Sequence, residues 1–326
     1  MLRFWSTMLV LMATTFAALA APSCNTHKEF PAVDMSQPVT TISTVSGKTG
    51  VQAFKAIGVK TIARYYDWPD KDITCKSLLP AESDAIITAG LSIVSVFQHE
   101  NSDPETFFDR SRGTIDGKAA LKLAAANGQP AGSAIYFAVD GVDQTVKDAV
   151  FEFSVNKGQK VSKARRKRLL AADPSYRKHI KFYERFLSYH RVAFGKPVPS
   201  IRAADMLPHI ERYFRNVNAV LKADGKYKIG VYGSGLTCKH IMTKGLASYC
   251  WLAMSTGWPG YKEVYASGKW SLAQQRSTFC KNWKFRGRES ARFDFNRVKG
   301  QDFGQWSKKG QVTKLASLPT QCKLSW

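Results

Sequence analysis

The chain has 326 residues, of which 44% are hydrophobic and 12% aromatic. This composition excludes a largely disordered protein, and the length exceeds one small core; it fits two ordinary domains or one large barrel with additions. The formal net charge of +23 predicts a surface that attracts polyanions such as anionic cell-wall polymers, lipopolysaccharide or nucleic acid.

Residues 1–20, MLRFWSTMLVLMATTFAALA, are typical of a secretory signal peptide. They contain an early Arg3, an apolar stretch from Met8 to Leu19, and an A-x-A cleavage site that ends at Ala20. The apolar stretch is short for a membrane span. We therefore expect a secreted or periplasmic mature protein without a transmembrane segment.

Six cysteines follow the predicted cleavage site: Cys24, Cys75, Cys238, Cys250, Cys280 and Cys322. An even number of cysteines in an exported chain predicts disulfides, although the sequence leaves their pairing open. No C-x-x-C or paired-histidine spacing is present, so we predict no metal site and no cofactor.

Eight β-rich runs alternate with helical stretches along the chain. The runs are FPAV before Asp34, VKTIARYY (59–66), LSIVSVF (91–97), SAIYFAV before Asp140, YKIGVYG (227–233), YCWLAM (249–254), WSLAQQ (270–275) and ARFDF (291–295). The third and fourth are continuously apolar, as in parallel strands buried on both faces. This pattern predicts an α/β fold of the (β/α)8 TIM-barrel type, whose strand and helix repeat need not be fully regular. The alternative is a doubly wound open sheet, which would have a glycine-rich phosphate loop after the first strand. The sequence there is DMSQPV, which contains no glycine.

Residues 144–204 do not fit the repeat and are predicted to form a basic helical insertion after the fourth strand. They contain KGQKVSKARRKR (157–168), with seven positive charges and no acid. Such a run favours a solvated arm over a nucleic-acid site, because no helix-turn-helix, zinc-finger or RNP-type pattern accompanies it. The predicted division is a signal peptide (1–20), a barrel with its insertion (21–304) and a C-terminal tail (305–326).

Polar residues follow several predicted strands, and a (β/α)8 barrel has its active site at these strand ends. The catalytic candidates are Asp34, Glu100, Asp140 and Asp143, and the substrate-binding candidates are Tyr66, Gln98, Tyr232, Trp251, Gln275 and Asp294. Convergent carboxylates suit glycoside hydrolysis, and Trp68, Trp251 and Trp258 offer flat faces for sugar rings. For any one acid, the structural alternative is a strand-end or helix-cap residue.

Several motifs, taken in order, resemble a known family. They are VDMSQP (33–38), ARYYDWP (63–69), AIYFAVDGVD (134–143), KIGVYGSG (228–235), CWLAMSTGW (250–258), AQQ (273–275) and FDFN (293–296). The chain resembles the secreted glycoside-hydrolase-like TIM-barrel family of largely unknown function, which is related to the family 25 muramidases, or Chalaropsis-type lysozymes.

The resemblance implies that Asp34 and Asp140 are acids of the barrel mouth, and that Tyr232, Trp251, Gln275 and Asp294 line or brace the pocket. One departure bears on catalysis. Muramidases of this type carry a catalytic Glu two residues after the fourth-strand Asp, where this chain has Val142. Asp143 is one residue further and shorter, and Glu100 is another candidate acid, so the identity of the general acid stays open.

The first hypothesis is an exported glycoside-hydrolase-like protein that acts on or binds cell-wall or extracellular glycan, with peptidoglycan among the candidates. The second is a non-catalytic glycan-binding barrel that has lost the general acid. The third is a basic exported protein that binds polyanions through residues 157–168. The expected partners are a glycan and anionic envelope polymers, with no specific nucleic acid.

Overall fold

The computed structural model describes residues 29–67, 76–172, 176–255, 257–285 and 289–311. The predicted signal peptide, Trp68 and three of the cysteines, Cys24, Cys75 and Cys322, lie outside the described residues.

Strands and helices alternate along most of the described chain. The strands are β1 (Ala32–Asp34), β2 (Ile42–Thr44), β3 (Thr61–Tyr66), β4 (Ser92–Phe97), β5 (Ala134–Ala138), β6 (Lys228–Gly233), β7 (Tyr249–Leu252), β8 (Leu272–Phe285) and β9 (Glu289–Val298). The helices are α1 (Gly50–Ala56), α2 (Pro80–Thr88), α3 (Pro104–Phe108), α4 (Arg112–Ala126), α5 (Val142–Val155), α6 (Lys163–Ala172), α7 (Tyr176–Phe194), α8 (Leu207–Asp224), α9 (Gly235–Thr243) and α10 (Tyr261–Ser267). Single 3-10 turns lie at Val39–Thr41, Val198–Ser200 and Ala203–Met206.

Eight of these strands close into a ring, which confirms the predicted TIM-barrel fold. Its order is β8-β7-β6-β5-β4-β3-β1-β9, and pairing of β9 with β8 completes it. The ring strands coincide with the eight predicted runs. The first seven pair in parallel, whereas β9 is antiparallel to both β1 and β8.

Two features make the barrel irregular. No crossover helix separates β8 from β9, because antiparallel strands need only a short connection whereas parallel ones need a dozen or more residues. The short strand β2, which the sequence patterns did not predict, pairs with the far end of β8 outside the ring, where Ile42 lies opposite Phe285.

The barrel interior is filled mainly by small and aromatic side chains, and its floor is closed by the segment after β9. The interior cluster includes Ala32, Ala63, Val94, Ala134, Tyr136, Tyr249, Trp251 and Leu272. Phe303 plugs the floor, and its carbonyl accepts a hydrogen bond from the Tyr136 hydroxyl at 2.8 Å. Trp306 is buried and bridges to Ile93 of β4. The barrel therefore extends past the predicted boundary at residue 304 to at least Trp306.

The basic helical insertion predicted after the fourth strand is confirmed as α5, α6 and α7, which lie between β5 and the helix α8. After α5, its apolar side chains buried in the core that surrounds the barrel include Val161, Ile180, Tyr183 and Phe186. The Tyr183 hydroxyl donates to the Gln159 carbonyl at 2.6 Å and so ties the basic run to α7. In contrast, α6 buries none of its side chains.

A buried ion pair fixes the segment that follows β1. Arg64 of β3 and Glu82 of α2 meet at 2.8 Å and 3.1 Å, and both are almost fully inaccessible. The third guanidinium nitrogen donates to the Met35 carbonyl at 2.6 Å, and Glu82 accepts from the Val39 amide at 2.7 Å. Since Met35 follows Asp34 directly, this pair positions the strand end that carries Asp34.

One disulfide is present among the described cysteines, between Cys238 of α9 and Cys250 of β7, whose Cα atoms lie 5.6 Å apart. Across the residues that the structure describes, no helix combines the length and apolarity needed for a membrane span.

Candidate active site

Two carboxyl groups face each other where the first and last strands of the ring meet. Asp34 of β1 lies directly opposite Asp294 of β9 in the antiparallel register. Opposite residues of such a pair have Cβ atoms about 5 Å apart on the same face of the sheet. Here that face is the barrel interior, and Asp34 is buried.

Side-chain amides from the neighbouring strands hold this acid pair. Gln274 Nε2 donates to Asp294 at 2.8 Å and to Asp34 at 3.2 Å. Asn296 Nδ2 donates to Asp34 Oδ1 at 2.7 Å, and the Trp251 indole donates to Asn296 Oδ1 at 2.8 Å. Trp251 therefore orients the amide that holds Asp34.

The surroundings of Asp34 favour its protonated form. Burial raises the pKa of the Asp34 carboxyl well above its ordinary value, and the nearby Asp294 and Asp140 carboxyls raise it further. The hydrogen bonds from Asn296 and Gln274 oppose this effect without cancelling it. A carboxyl whose pKa is raised in this way is suited to donate a proton, as glycoside cleavage requires.

Asp140 belongs to the same acidic group but faces outward. It follows β5 and accepts a hydrogen bond from Gln98 Nε2 at 3.0 Å, while Lys76 Nζ donates to Gln98 Oε1 at 2.6 Å. Burial raises the pKa of the Tyr65 and Tyr232 phenols well above their ordinary values, and Asp140 adds to both shifts. Both tyrosines therefore lie within electrostatic reach of the acids.

A cleft of about 780 Å³ opens beside Asp140, between the loops after β4 and β5 and the insertion helix α7. Its lining includes Gln98, Glu100, Asp140, Gln144, Arg185 and Trp258. Gly141 has a left-handed backbone with φ of 69°, and a Cβ there would lie 2.9 Å from Trp258 Cζ2. A glycine at this position therefore lets Trp258 pack directly beside Asp140.

Asp143 does not line the cleft. It is buried in the first turn of α5, where it accepts a hydrogen bond from Ser234 Oγ at 2.5 Å. The pKa of its carboxyl is raised by burial. Val142, which stands where the muramidases carry their catalytic Glu, is also fully buried. Because α5 begins immediately after Gly141, both side chains turn away from the cleft.

The other predicted residues divide between the mouth and its surroundings. Glu100 lies at the cleft rim, 56% exposed, and pairs with Arg112 at 3.5 Å. Tyr66 faces the helices and donates to Gln129 Oε1 at 2.9 Å. The amide of Gln275 donates to the backbone carbonyls of Gln274 and Ala273. Gln98, Tyr232 and Asp294 are at the mouth, and Trp251 lies buried beneath it.

Gln274 and Asn296 are polar strand-end residues that were not chosen as site candidates, and Tyr65 was missed altogether. Tyr65 and Gln274 each adjoin a predicted candidate, and Asn296 is two residues beyond Asp294. The two-residue alternation of a β-strand would have identified them, because Gln274 shares a face with Leu272, and Asn296 shares a face with Asp294. Their amides and hydroxyls contribute hydrogen bonds rather than charge.

No set of three or more His, Cys, Asp and Glu side chains suits a metal ion within the described ranges.

A closed α/β barrel with acids clustered at one mouth is an arrangement suited to glycoside chemistry. Comparison with known families agrees: residues 52–167 match the model for the Rv2525c-like, glycoside hydrolase-like domain. The resemblance inferred from the motifs is thereby confirmed, and residues 52–167 are similar to that glycoside hydrolase-like domain.

Proteins from Mycobacterium tuberculosis and Bacillus subtilis are among those similar to this chain. The crystal structure of the Tat-secreted protein Rv2525c of Mycobacterium tuberculosis, in complex with HEPES, is 20% identical with a TM-score of 0.50; the match covers 84% of this chain and 98% of that one. Two uncharacterized Bacillus subtilis (strain 168) proteins are also similar. FadG is 23% identical over 224 residues, 68% of this chain and 29% of its own length. YbfG is 24% identical over 264 residues, which are 80% of this chain and 28% of its own length. The chain thus spans less than a third of either curated relative.

Proposed function

We propose that this is an exported protein that binds a cell-wall or extracellular glycan in the cleft at the barrel mouth and hydrolyses a glycosidic bond there. The observation that carries the proposal is the acidic group itself, in which the pair of the buried Asp34 and the half-buried Asp294 lies within electrostatic reach of the cleft-lining Asp140. Three carboxyls at one barrel mouth have little structural purpose, because their mutual repulsion opposes folding.

The environments of the acids suggest how the roles divide. The Asp34–Asp294 pair holds a proton, which it donates to the glycosidic oxygen through the more exposed Asp294 as the bond to the anomeric carbon breaks. Asp140, which accepts a hydrogen bond from Gln98, faces the sugar ring and stabilises the positive charge that develops on it. A water molecule then adds to the anomeric carbon, and its released proton restores the acid pair.

Export is supported by three independent features. Residues 1–20 have the pattern of a signal peptide, Cys238 and Cys250 form a disulfide, and the similar Mycobacterium tuberculosis protein is described as Tat-secreted. The net charge of +23 suits a protein that works among anionic envelope polymers.

Replacement of Asp140 tests the catalytic proposal. We expect Asp140→Asn to lower the release of reducing ends from peptidoglycan, or from another glycan of a panel, at least ~100-fold, because it removes the charge that stabilises the transition state. The matched control is Asp302→Asn, the same substitution at the barrel floor, where Asp302 pairs with Lys228. Equal rates for Asp140→Asn and the wild-type protein contradict the role of Asp140, and absence of release by the wild-type protein rejects hydrolysis.

A second candidate is a non-catalytic glycan-binding barrel, and a specific observation favours it. The position of the muramidase catalytic Glu is occupied by the buried Val142, and the adjacent Asp143 is turned toward Ser234. Such a barrel retains the cleft and the Trp258 ring that lines it while lacking the usual proton donor.

Trp258 provides the test of this second function, because it lines the cleft whereas Trp251 is fully buried. We expect Trp258→Ala to weaken glycan binding about tenfold through loss of ring stacking, and Trp258→Phe, which keeps an aromatic face, to weaken it less. Binding measured by calorimetry without reducing-end release identifies this function. Unchanged affinity in Trp258→Ala argues against the cleft as the binding site.

A further inference from the structure

The insertion presents an exposed surface that the cleft does not use, and we call it the insertion face. It consists of Phe151 and Val155 of α5, which are 65% and 45% exposed, together with the exposed basic side chains of residues 157–168. No acidic residue occurs from Phe153 to Ala172. The face therefore combines positive charge with apolar side chains that lie in contact with solvent.

Most of this charge is not neutralised within the fold. Arg165 pairs with Glu152 at 3.2 Å, and Arg166 pairs with Glu184. Within the part of the chain that the structure describes, no ion pair involves the other five basic residues of the run: Lys157, Lys160, Lys163, Lys167 and Arg168. All five are exposed.

The apolar pair borders the basic helix directly. Arg165 of α6 donates to Asn156 at 3.0 Å and to Glu152 at 3.2 Å, so α6 lies against this row of α5. Phe151 and Val155 directly precede Glu152 and Asn156, the two residues that contact Arg165. Each apolar side chain is therefore rotated about 100° around α5 from that contact and lies beside it. Their four-residue spacing puts them on a common face.

We propose that the insertion face docks on a membrane surface that contains anionic lipids. Lysine and arginine side chains attract anionic headgroups, and exposed apolar residues on the same face enter the boundary between headgroups and acyl chains. A soluble anionic polymer would match the charge but would give Phe151 and Val155 no apolar phase to enter. The combination therefore favours a lipid surface over a polymer.

Docking by this face also positions the cleft. Gln144 and Asp148 of α5 line the cleft, while Phe151 and Val155 lie further along the same helix on its exposed side. The insertion helix α7 forms another wall of the cleft through Lys181 and Arg185. A protein docked through α5 and α6 therefore holds the cleft close to the lipid surface. The inference concerns this face alone and does not depend on hydrolysis in the cleft.

Vesicle co-sedimentation tests the charge component. We expect the purified protein to bind vesicles of phosphatidylcholine with phosphatidylglycerol, and not vesicles of phosphatidylcholine alone. Each lysine or arginine at an anionic surface contributes about fivefold in partitioning, so Lys163→Gln/Lys167→Gln/Arg168→Gln should weaken binding roughly 100-fold. The matched control Lys48→Gln/Lys60→Gln/Lys262→Gln removes three exposed charges elsewhere on the barrel and should bind like the wild-type protein.

Phe151→Ser/Val155→Ser tests the apolar component and separates lipid from polymer. Both side chains are exposed, so the fold should tolerate the change. We expect about a tenfold loss of vesicle binding and no loss of binding to soluble polyphosphate. Equal binding of the two triple variants overturns the proposal, because net charge alone then explains the affinity. Unchanged vesicle binding by the Phe151→Ser/Val155→Ser variant also overturns it, in favour of a charge-only polyanion surface.

Discussion

Arg64→Leu is expected to lower the free energy of unfolding by about 3–5 kcal/mol, because it leaves the Glu82 carboxylate buried without its partner. It also removes the hydrogen bond to the Met35 carbonyl, which fixes the chain directly after Asp34. The measurement is urea unfolding at pH 7, followed by tryptophan fluorescence. We expect a second effect on the site, since loss of this anchor loosens the strand end that carries the acid.

An exposed ion pair provides the control for this prediction. Lys239 and Glu263 meet at 2.6 Å, but both are more than half exposed. Such pairs contribute less than ~1 kcal/mol, so Lys239→Leu should have little effect. If Arg64→Leu also changes the free energy of unfolding by less than ~1 kcal/mol, the Arg64–Glu82 pair does not hold the segment after β1 in place.

Asp34→Asn is expected to flatten the dependence of stability on pH. The folded-state pKa of Asp34 lies above its ordinary value of 3.8, chiefly because the carboxyl is buried and secondarily because Asp294 is near. The native state therefore binds this proton more tightly than the unfolded state. The contribution is most favourable below pH 3.8 and is lost as pH rises toward the folded-state pKa, by up to about 1.4 kcal/mol per pH unit.

Urea unfolding of both proteins at intervals from pH 4 to pH 8 measures this effect. The variant lacks the ionisable group, so the wild-type protein should lose stability relative to Asp34→Asn as pH rises. A constant offset of about 1 kcal/mol is expected from the altered hydrogen bond with Gln274, and it does not depend on pH. Parallel curves for the two proteins would show that Asp34 ionises in the native state as freely as in the unfolded state.

The barrel could be predicted because its strands are short apolar runs that end in polar residues. Runs such as SAIYFAV before Asp140 form strands whose two faces are both buried, one in the barrel interior and one under the helices. The order of these strands along the chain matches their order around most of the ring. The antiparallel hairpin of β8 and β9, which closes the ring, was harder to predict. Its two strands continue through polar residues beyond the runs at 270–275 and 291–295, so the sequence indicated neither their length nor their antiparallel pairing.

Which side chains face the barrel interior was harder to predict than which segments form it. Tyr65 and Tyr66 are adjacent, yet one faces the acids and the other faces the helices. The same holds for Gln274 and Gln275, where a bulge follows in β8. A one-residue difference moves a side chain across the sheet, and the position of the interior face is decided by pairing with distant strands.

The sequence also could not show which acid after β5 faces the cleft, because that too depends on contacts with distant segments. In AIYFAVDGVD the sequence places Asp143 three residues after Asp140, and either side chain could have faced the cleft. The helix α5 starts at Val142 and rotates Asp143 toward Ser234, which begins the next βα loop. That contact spans 91 positions along the chain, so local sequence does not encode it.

The acidic group is assembled from the two ends of the folded chain. Asn296 and Asp34 are 262 positions apart, and Asp294 lies beside them only after β9 has entered between β1 and β8. A nascent chain that has not reached β9 therefore exposes Asp34 at an open strand edge, with neither its partner acid nor its amide donor. The acidic group therefore forms only after translation of the last strand, and an incomplete polypeptide lacks it.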